Sequence, residues 1–201
     1  MTELFYCPIF HISSEELLSL PLVDTLQAGV KKYTDQRAKA ESYGVRVLLQ
    51  NALLQLGVAP DTVTLAFTEE GKPYLLGCPL YVSLSHSKSY LAVALGDEPL
   101  GVDVEDETAV RHPHQLAKRF LDEEGDWQVR EAPNPHLAFL YAFTRLEATV
   151  KQKEGITLPL AKKHLNPIYY RTTLPLVEGK LSVLTAVGKP PFRTHKVDLL
   201  L

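Results

Sequence analysis

Asp103 and Glu105 alternate with Val102 and Val104 in the run Leu-Gly-Val-Asp-Val-Glu over 100–105, the period-two pattern of a half-buried strand. One face is then apolar and the other carries two carboxylates. A carboxylate buried without a partner costs stability, so so apolar a strand has little structural reason to hold two. Mg²⁺ supplies a reason, because it takes oxygen ligands and is usually held by one or two carboxylates plus substrate phosphate. Taken alone, an Asp-x-Glu at a strand end is more often a solvated turn. A second group lies further on, where Phe143, Glu147 and Lys151 follow each other at four-residue steps. Its plain reading is a surface ion pair between Glu147 and Lys151, worth only ~0.3–0.5 kcal/mol.

The elements that must position these groups are legible from periodicity. Leu4–Phe10 reads as a strand, with Pro8 marking a sheet edge or an early end. Ser13 followed three residues later by Glu16 predicts a capping box and a helix, closed near Pro21. Asp35–Leu56 is a long helix ended by Gly57, with Val45, Leu48, Leu49, Ala52 and Leu56 as its buried stripe. Thr62–Phe67, Tyr81–Ser85 and Tyr90–Leu95 read as strands, with a turn at Glu70-Gly71-Lys72-Pro73. Together with the Asp103 strand they suggest an antiparallel meander whose ends collect Lys72, Ser85, His86, Asp103 and Glu105. Short helices are expected over Gln115–Phe120 and from an Asp122 cap to Trp127, and a second long helix over His136–Lys153, ended by Gly155. Ile156–Tyr170 and Leu181–Val187 supply further strand-like runs, and Lys189-Pro190-Pro191 marks a tail. A long helix followed by strands thus occurs twice.

Composition narrows the class. The chain of 201 residues carries 21 basic and 24 acidic residues, net −3, with no general electrostatic footprint for nucleic acid. Cys7 and Cys78 share no metal-ligand spacing and fit a reducing cytoplasm. No apolar run approaches the ~18 residues of a membrane span, and the N-terminus has no basic segment ahead of an apolar one, so a cytoplasmic protein is expected. His112-Pro113-His114 has no companions to complete a zinc set.

Four separated stretches converge on one chemistry: Gly71-Lys72-Pro73, Ser85-His86-Ser87, Gly101-Val-Asp103-Val-Glu105, and Phe143-Thr-Arg-Leu-Glu147-Ala-Thr-Val-Lys151. In this order and spacing the chain resembles the 4'-phosphopantetheinyl transferases of the surfactin-synthetase-activating type, from about Lys31 to Val187. Asp35-Gln-Arg37 also resembles the segment in which that family carries an arginine for a phosphate of coenzyme A (CoA).

The resemblance implies an α+β fold of two similar α/β halves, 1–98 and 99–201, related by a pseudo-twofold axis, with the active site between them. It implies transfer of phosphopantetheine from CoA to a serine of an apo acyl or peptidyl carrier protein, releasing adenosine 3',5'-bisphosphate, in fatty acid or polyketide biosynthesis, by a monomer. Asp103, Glu105 and Glu147 would hold Mg²⁺. Glu147 would be the general base and Lys151 the cation facing the pyrophosphate. Lys31, Lys32, Arg37, Gly71, Lys72, Pro73, Ser85, His86, Asp103 and Lys151 would form the CoA site, where the planar fork of Arg37 suits a phosphate.

One departure bears on activity. The family stretch usually reads Trp-x-x-Lys-Glu-Ala, whereas here Phe143 replaces the tryptophan and Leu146 the lysine. A leucine neither binds phosphate nor donates a proton. A catalytically weakened homologue that binds CoA or a carrier is therefore the alternative. A Mg²⁺-dependent nuclease built on the same acids is disfavoured by the lack of a broad basic surface.

Overall fold

The computed structural model describes residues 1–30, 34–153, 171–178 and 181–199. The chain opens with strand β1 (Thr2–Pro8) and helix α1 (Ser14–Ser19), whose Ser13–Glu16 capping box forms as expected. Helix α2 (Gln36–Gln55) follows, with the Asp35 side chain accepting from the amide of Ala38 and Gly57 taking a left-handed φ of 76° beyond its end. A two-stranded hairpin, β2 (Thr64–Phe67) and β3 (Pro73–Leu76), precedes β4 (Tyr81–His86), β5 (Tyr90–Gly96) and β6 (Gly101–Asp106). Helices α3 (Pro113–Phe120), α4 (Glu123–Glu131) and α5 (Pro135–Gln152) come next. Strands β7 (Arg171–Leu176), β8 (Ser182–Val187) and β9 (Phe192–Lys196) complete the described chain.

Two sheets organise these elements. The first has the order β4-β5-β1-β9 and the second β6-β8-β7. Strict alternation along β5 turns Leu91, Val93 and Leu95 toward α2, while Tyr90, Ala92 and Ala94 face Val102, Val104, Leu184 and Ala186 of the second sheet. The second sheet is covered on its other side by α5 and the short helices, through Val183 packed with Phe139, Leu140 and Leu146. The result is a mixed α and β architecture of four layers: α2, first sheet, second sheet, α5. Ala92, Ala94 and Ala186 are all fully buried, and their small side chains let the sheets close on each other.

Three expectations change. The expected meander breaks at β6, which leaves the first sheet and pairs with β8. It still runs beside β4, joined by side chains: the Ser83 hydroxyl accepts from the amide of Val102 at 3.0 Å and that of Ser85 from the amide of Val104 at 3.3 Å. Pro8 ends β1, but β1 lies inside its sheet rather than at an edge, because β9 returns to pair with it in parallel. The expected tail after Lys189 therefore carries the sheet's outermost strand. Gly155 and the strand-like run 156–170 lie outside the described residues.

Candidate active site

Gly101 sets the distance between the two chemical segments. A methyl group there would overlap the carbonyl oxygen of Ala148 and lie 2.7 Å from the amide of Gln152, so only glycine lets the last turns of α5 rest on β6. That contact carries Lys151 over the strand. Its Nζ donates to Asp103 Oδ1 at 2.7 Å and to Ser85 Oγ at 2.9 Å. Ser85 Oγ donates to the same Asp103 oxygen at 2.9 Å and accepts from Val104, which uses the full capacity of its hydroxyl. Lys151 therefore meets Asp103 across the seam rather than Glu147 along its own helix.

Asp103 is 3% exposed, and its Oδ2 is buried with no hydrogen-bond partner among the described residues. Two further acids crowd it. Burial first, and then the charge of Asp103, push the Glu105 carboxyl up to about 8, with Glu147 and Asp106 adding to the rise and Lys151 opposing it. Glu147 is raised for the same leading reasons, burial and then Asp103, again opposed by Lys151. The acids of β6 and the acid of α5 thus lie within each other's electrostatic reach.

Among the described residues, no three His, Cys, Asp or Glu side chains stand in a ready metal-holding arrangement. The donor chemistry nevertheless fits a hard divalent cation: an orphaned buried carboxylate oxygen beside two carboxylates whose ionisation is mutually penalised. Among the described residues the Lys151 ammonium acts on all three acids, and of these it is bonded only to Asp103.

The remaining expected residues divide by element. Lys72, after Gly71 with its left-handed φ of 85°, donates to the Gln152 carbonyl at 3.1 Å, which brings the β2–β3 turn to the end of α5 next to Lys151. Pro73 begins β3. His86 ends β4, with Nδ1 3.3 Å from Glu41 Oε2 of α2. Arg37 is more committed than its phosphate role requires: Nε donates to Glu41 Oε1 at 2.8 Å, and its two terminal nitrogens donate to the carbonyls of Ile12 and Lys88. Three of its five N–H groups are used, and two have no partner among the described residues. Lys31 and Lys32 lie outside the described residues.

Leu146 is fully buried among Val110, Leu121, Val129 and Phe139, so the position at which a lysine was expected belongs to the core here. Sequence reasoning missed two buried acids. Glu41 sits four residues after Arg37, a spacing that signals the ion pair but not the reach to His86. Asp106, 3% exposed, accepts from the hydroxyls of Ser87, Ser89 and Ser182, and nothing local predicts that convergence.

No family model matches the chain. It is similar to a 4'-phosphopantetheinyl transferase of Bacillus subtilis, 26% identical over 132 residues that make up 64% of this chain and 58% of that protein. To the 4'-phosphopantetheinyl transferase AcpT of Salmonella typhimurium it is 36% identical over 114 residues, 55% of this chain and 56% of the relative. To the 4'-phosphopantetheinyl transferase pptA of Paxillus involutus it is 33% identical over 88 residues, 41% and 34% respectively. The chain spans little more than half the length of the first two, and the expected resemblance to this family is borne out by every one of them. Among the described residues, no helix is long and apolar enough to cross a membrane.

Proposed function

We propose that the chain transfers 4'-phosphopantetheine from CoA to a serine of an apo carrier protein, with a divalent cation, Mg²⁺ foremost, as cofactor. The observation carrying this reading is the convergence of Asp103, Glu105, Glu147 and Lys151 from two distant segments, in a chain similar to three proteins of that name. The laying of one long helix on each sheet supports a pseudo-twofold relation between 1–98 and 99–201, with CoA at their junction and the site complete within one chain.

Asp103, Glu105 and Glu147 would hold the cation. When bound, it supplies charge neutralisation to the pyrophosphate oxygens of CoA. Glu147 serves as the general base, directly or through water, that takes the proton from the carrier serine as the oxygen attacks phosphorus. The bond between that phosphorus and the bridging oxygen breaks, and adenosine 3',5'-bisphosphate leaves. Lys151, held at its ammonium by Asp103 and Ser85, offsets the charge that builds on the departing group. Lys72, His86 and the two open N–H groups of Arg37 bind the phosphates of CoA, while Gly71, Pro73 and Ser85 shape the site around them.

Intact-mass measurement of a panel of apo carriers after incubation with CoA and Mg²⁺ tests the proposal. One phosphopantetheine added to a single serine is expected, with loss of at least about 100-fold in rate for Asp103→Asn. A second reading draws on Leu146, whose burial removes a cation expected at the site. In that reading the chain binds CoA or a carrier without turnover, and the outcome would be bound CoA with every carrier unmodified.

A further inference from the structure

Glu41 has no part in the chemistry above, yet its placement is unusual. It lies in the second turn of α2, 7% exposed, with each oxygen facing a different cationic or N–H group. Oε1 accepts from Arg37 Nε at 2.8 Å on the same helix, and Oε2 lies 3.3 Å from His86 Nδ1 on β4. A buried carboxylate costs stability unless such partners are present, so the two contacts account for its presence only as a set.

The turn that follows His86 is fastened from both sides. Arg37 Nη2 donates to the Lys88 carbonyl at 2.9 Å, and the amide of Ser87 donates to the carbonyl of Tyr90 at 2.8 Å. From the second sheet, Asp106 accepts from Ser87 at 2.8 Å and Ser89 at 3.1 Å. The backbone under His86 is thereby fixed, and the remaining freedom is the rotation of the imidazole. Glu41 addresses that freedom. A carboxylate oxygen 3.3 Å from Nδ1 favours the ring orientation that turns this nitrogen toward α2 and Nε2 away from it. Nε2 has no hydrogen-bond partner among the described residues, and the side chain keeps 28% exposure. A ring oriented this way offers its Nε2 side to an anion approaching from outside α2.

We propose that Glu41 is a positioning residue for phosphate recognition: by facing Nδ1 of His86 at 3.3 Å it turns Nε2 toward a phosphate of CoA. The proposal rests on the reading above that His86 binds CoA. It differs from a direct role, because Glu41 would repel the phosphate if it touched it.

The test uses the full chain with CoA, Mg²⁺ and an apo carrier that the chain modifies, alongside CoA binding by calorimetry. Glu41→Ala is expected to raise the Kd and KM for CoA about tenfold, the scale of one charge-assisted hydrogen bond, and to leave kcat within about twofold. In the His86→Ala background the same substitution is expected to change the KM for CoA no further. Nitrogen-15 spectra of the imidazole should show Nδ1 protonated in the wild-type chain and exchanging between nitrogens in Glu41→Ala. A full tenfold effect persisting without His86 would assign Glu41 to Arg37 instead and overturn the proposal. So would unchanged CoA binding in Glu41→Ala, or an unprotonated Nδ1 in the wild-type chain. A wild-type chain that binds no CoA defeats the transferase reading and this role together, whereas CoA bound equally with and without Glu41 defeats this role alone.

Discussion

Glu105 carries the most legible consequence of the acid cluster at the scale of single residues. Its carboxyl is pushed from an ordinary 4.5 up to about 8 in the folded chain, mainly by burial and next by Asp103. Between those values the folded state holds a proton that the unfolded chain has lost, so stability falls as pH rises from about 4.5 to about 8. Glu147, also raised, contributes with the same sign. Thermal melts without divalent cation should show Tm declining through that window, with a shallower decline in Glu105→Gln. Added Mg²⁺ should raise Tm more at pH 8 than at pH 5, because it binds the ionised acids. Identical slopes for wild type and Glu105→Gln would remove Glu105 from the cluster. At this scale the sequence named the residues that bring chemistry, because carboxylates on an apolar strand need a reason. It did not name Glu41 or Asp106, whose partners come from other elements. A glutamate after Arg37 and an aspartate after Glu105 look like solvated charge until the helix and the serines close over them.

Among the elements, the contact of α5 with β6 decides whether the cluster exists. Gly101→Ala should force the helix off the strand, at a cost of about 2–3 kcal/mol by analogy with overpacked cores. Because Lys151 and Glu147 ride on that helix, activity should fall by more than the loss of folded protein explains; circular dichroism melts and rates on the soluble fraction would separate the two. Leu146 makes the opposite case. Leu146→Lys, which restores the usual family residue, should destabilise the chain by about 3–5 kcal/mol, because the ammonium would enter a site 0% exposed and lined by hydrocarbon. An unchanged Tm with increased transfer would show that the side chain reaches the cleft instead. The helices and their caps were readable because a 3.6-residue stripe and a capping aspartate or serine are local signals. The pairing of β6 with β8, and of β9 with β1, was not, because Gly101–Asp106 and Phe192–Lys196 carry no mark of partners about 80 and 190 residues away in the chain.

For the molecule as a whole, the candidate site lies where the two helix-covered sheets meet, along the β4–β6 seam. The serine hydroxyls of 83 and 85 bridge that seam in place of a backbone ladder. Ser85 belongs to both arrangements, since it accepts from β6 and also bonds Asp103 and Lys151. Joining the sheets and placing the charges are thus one arrangement. The central claim is that acids from β6 and α5 share one divalent cation beside a bound CoA. Electron paramagnetic resonance of Mn²⁺ bound to the chain with CoA reads this directly. Phosphorus hyperfine coupling is expected in the wild-type chain, with marked loss of Mn²⁺ affinity in both Asp103→Asn and Glu147→Gln. Mn²⁺ that shows no phosphorus coupling while CoA is bound, or that binds equally well without Glu147, would contradict the account.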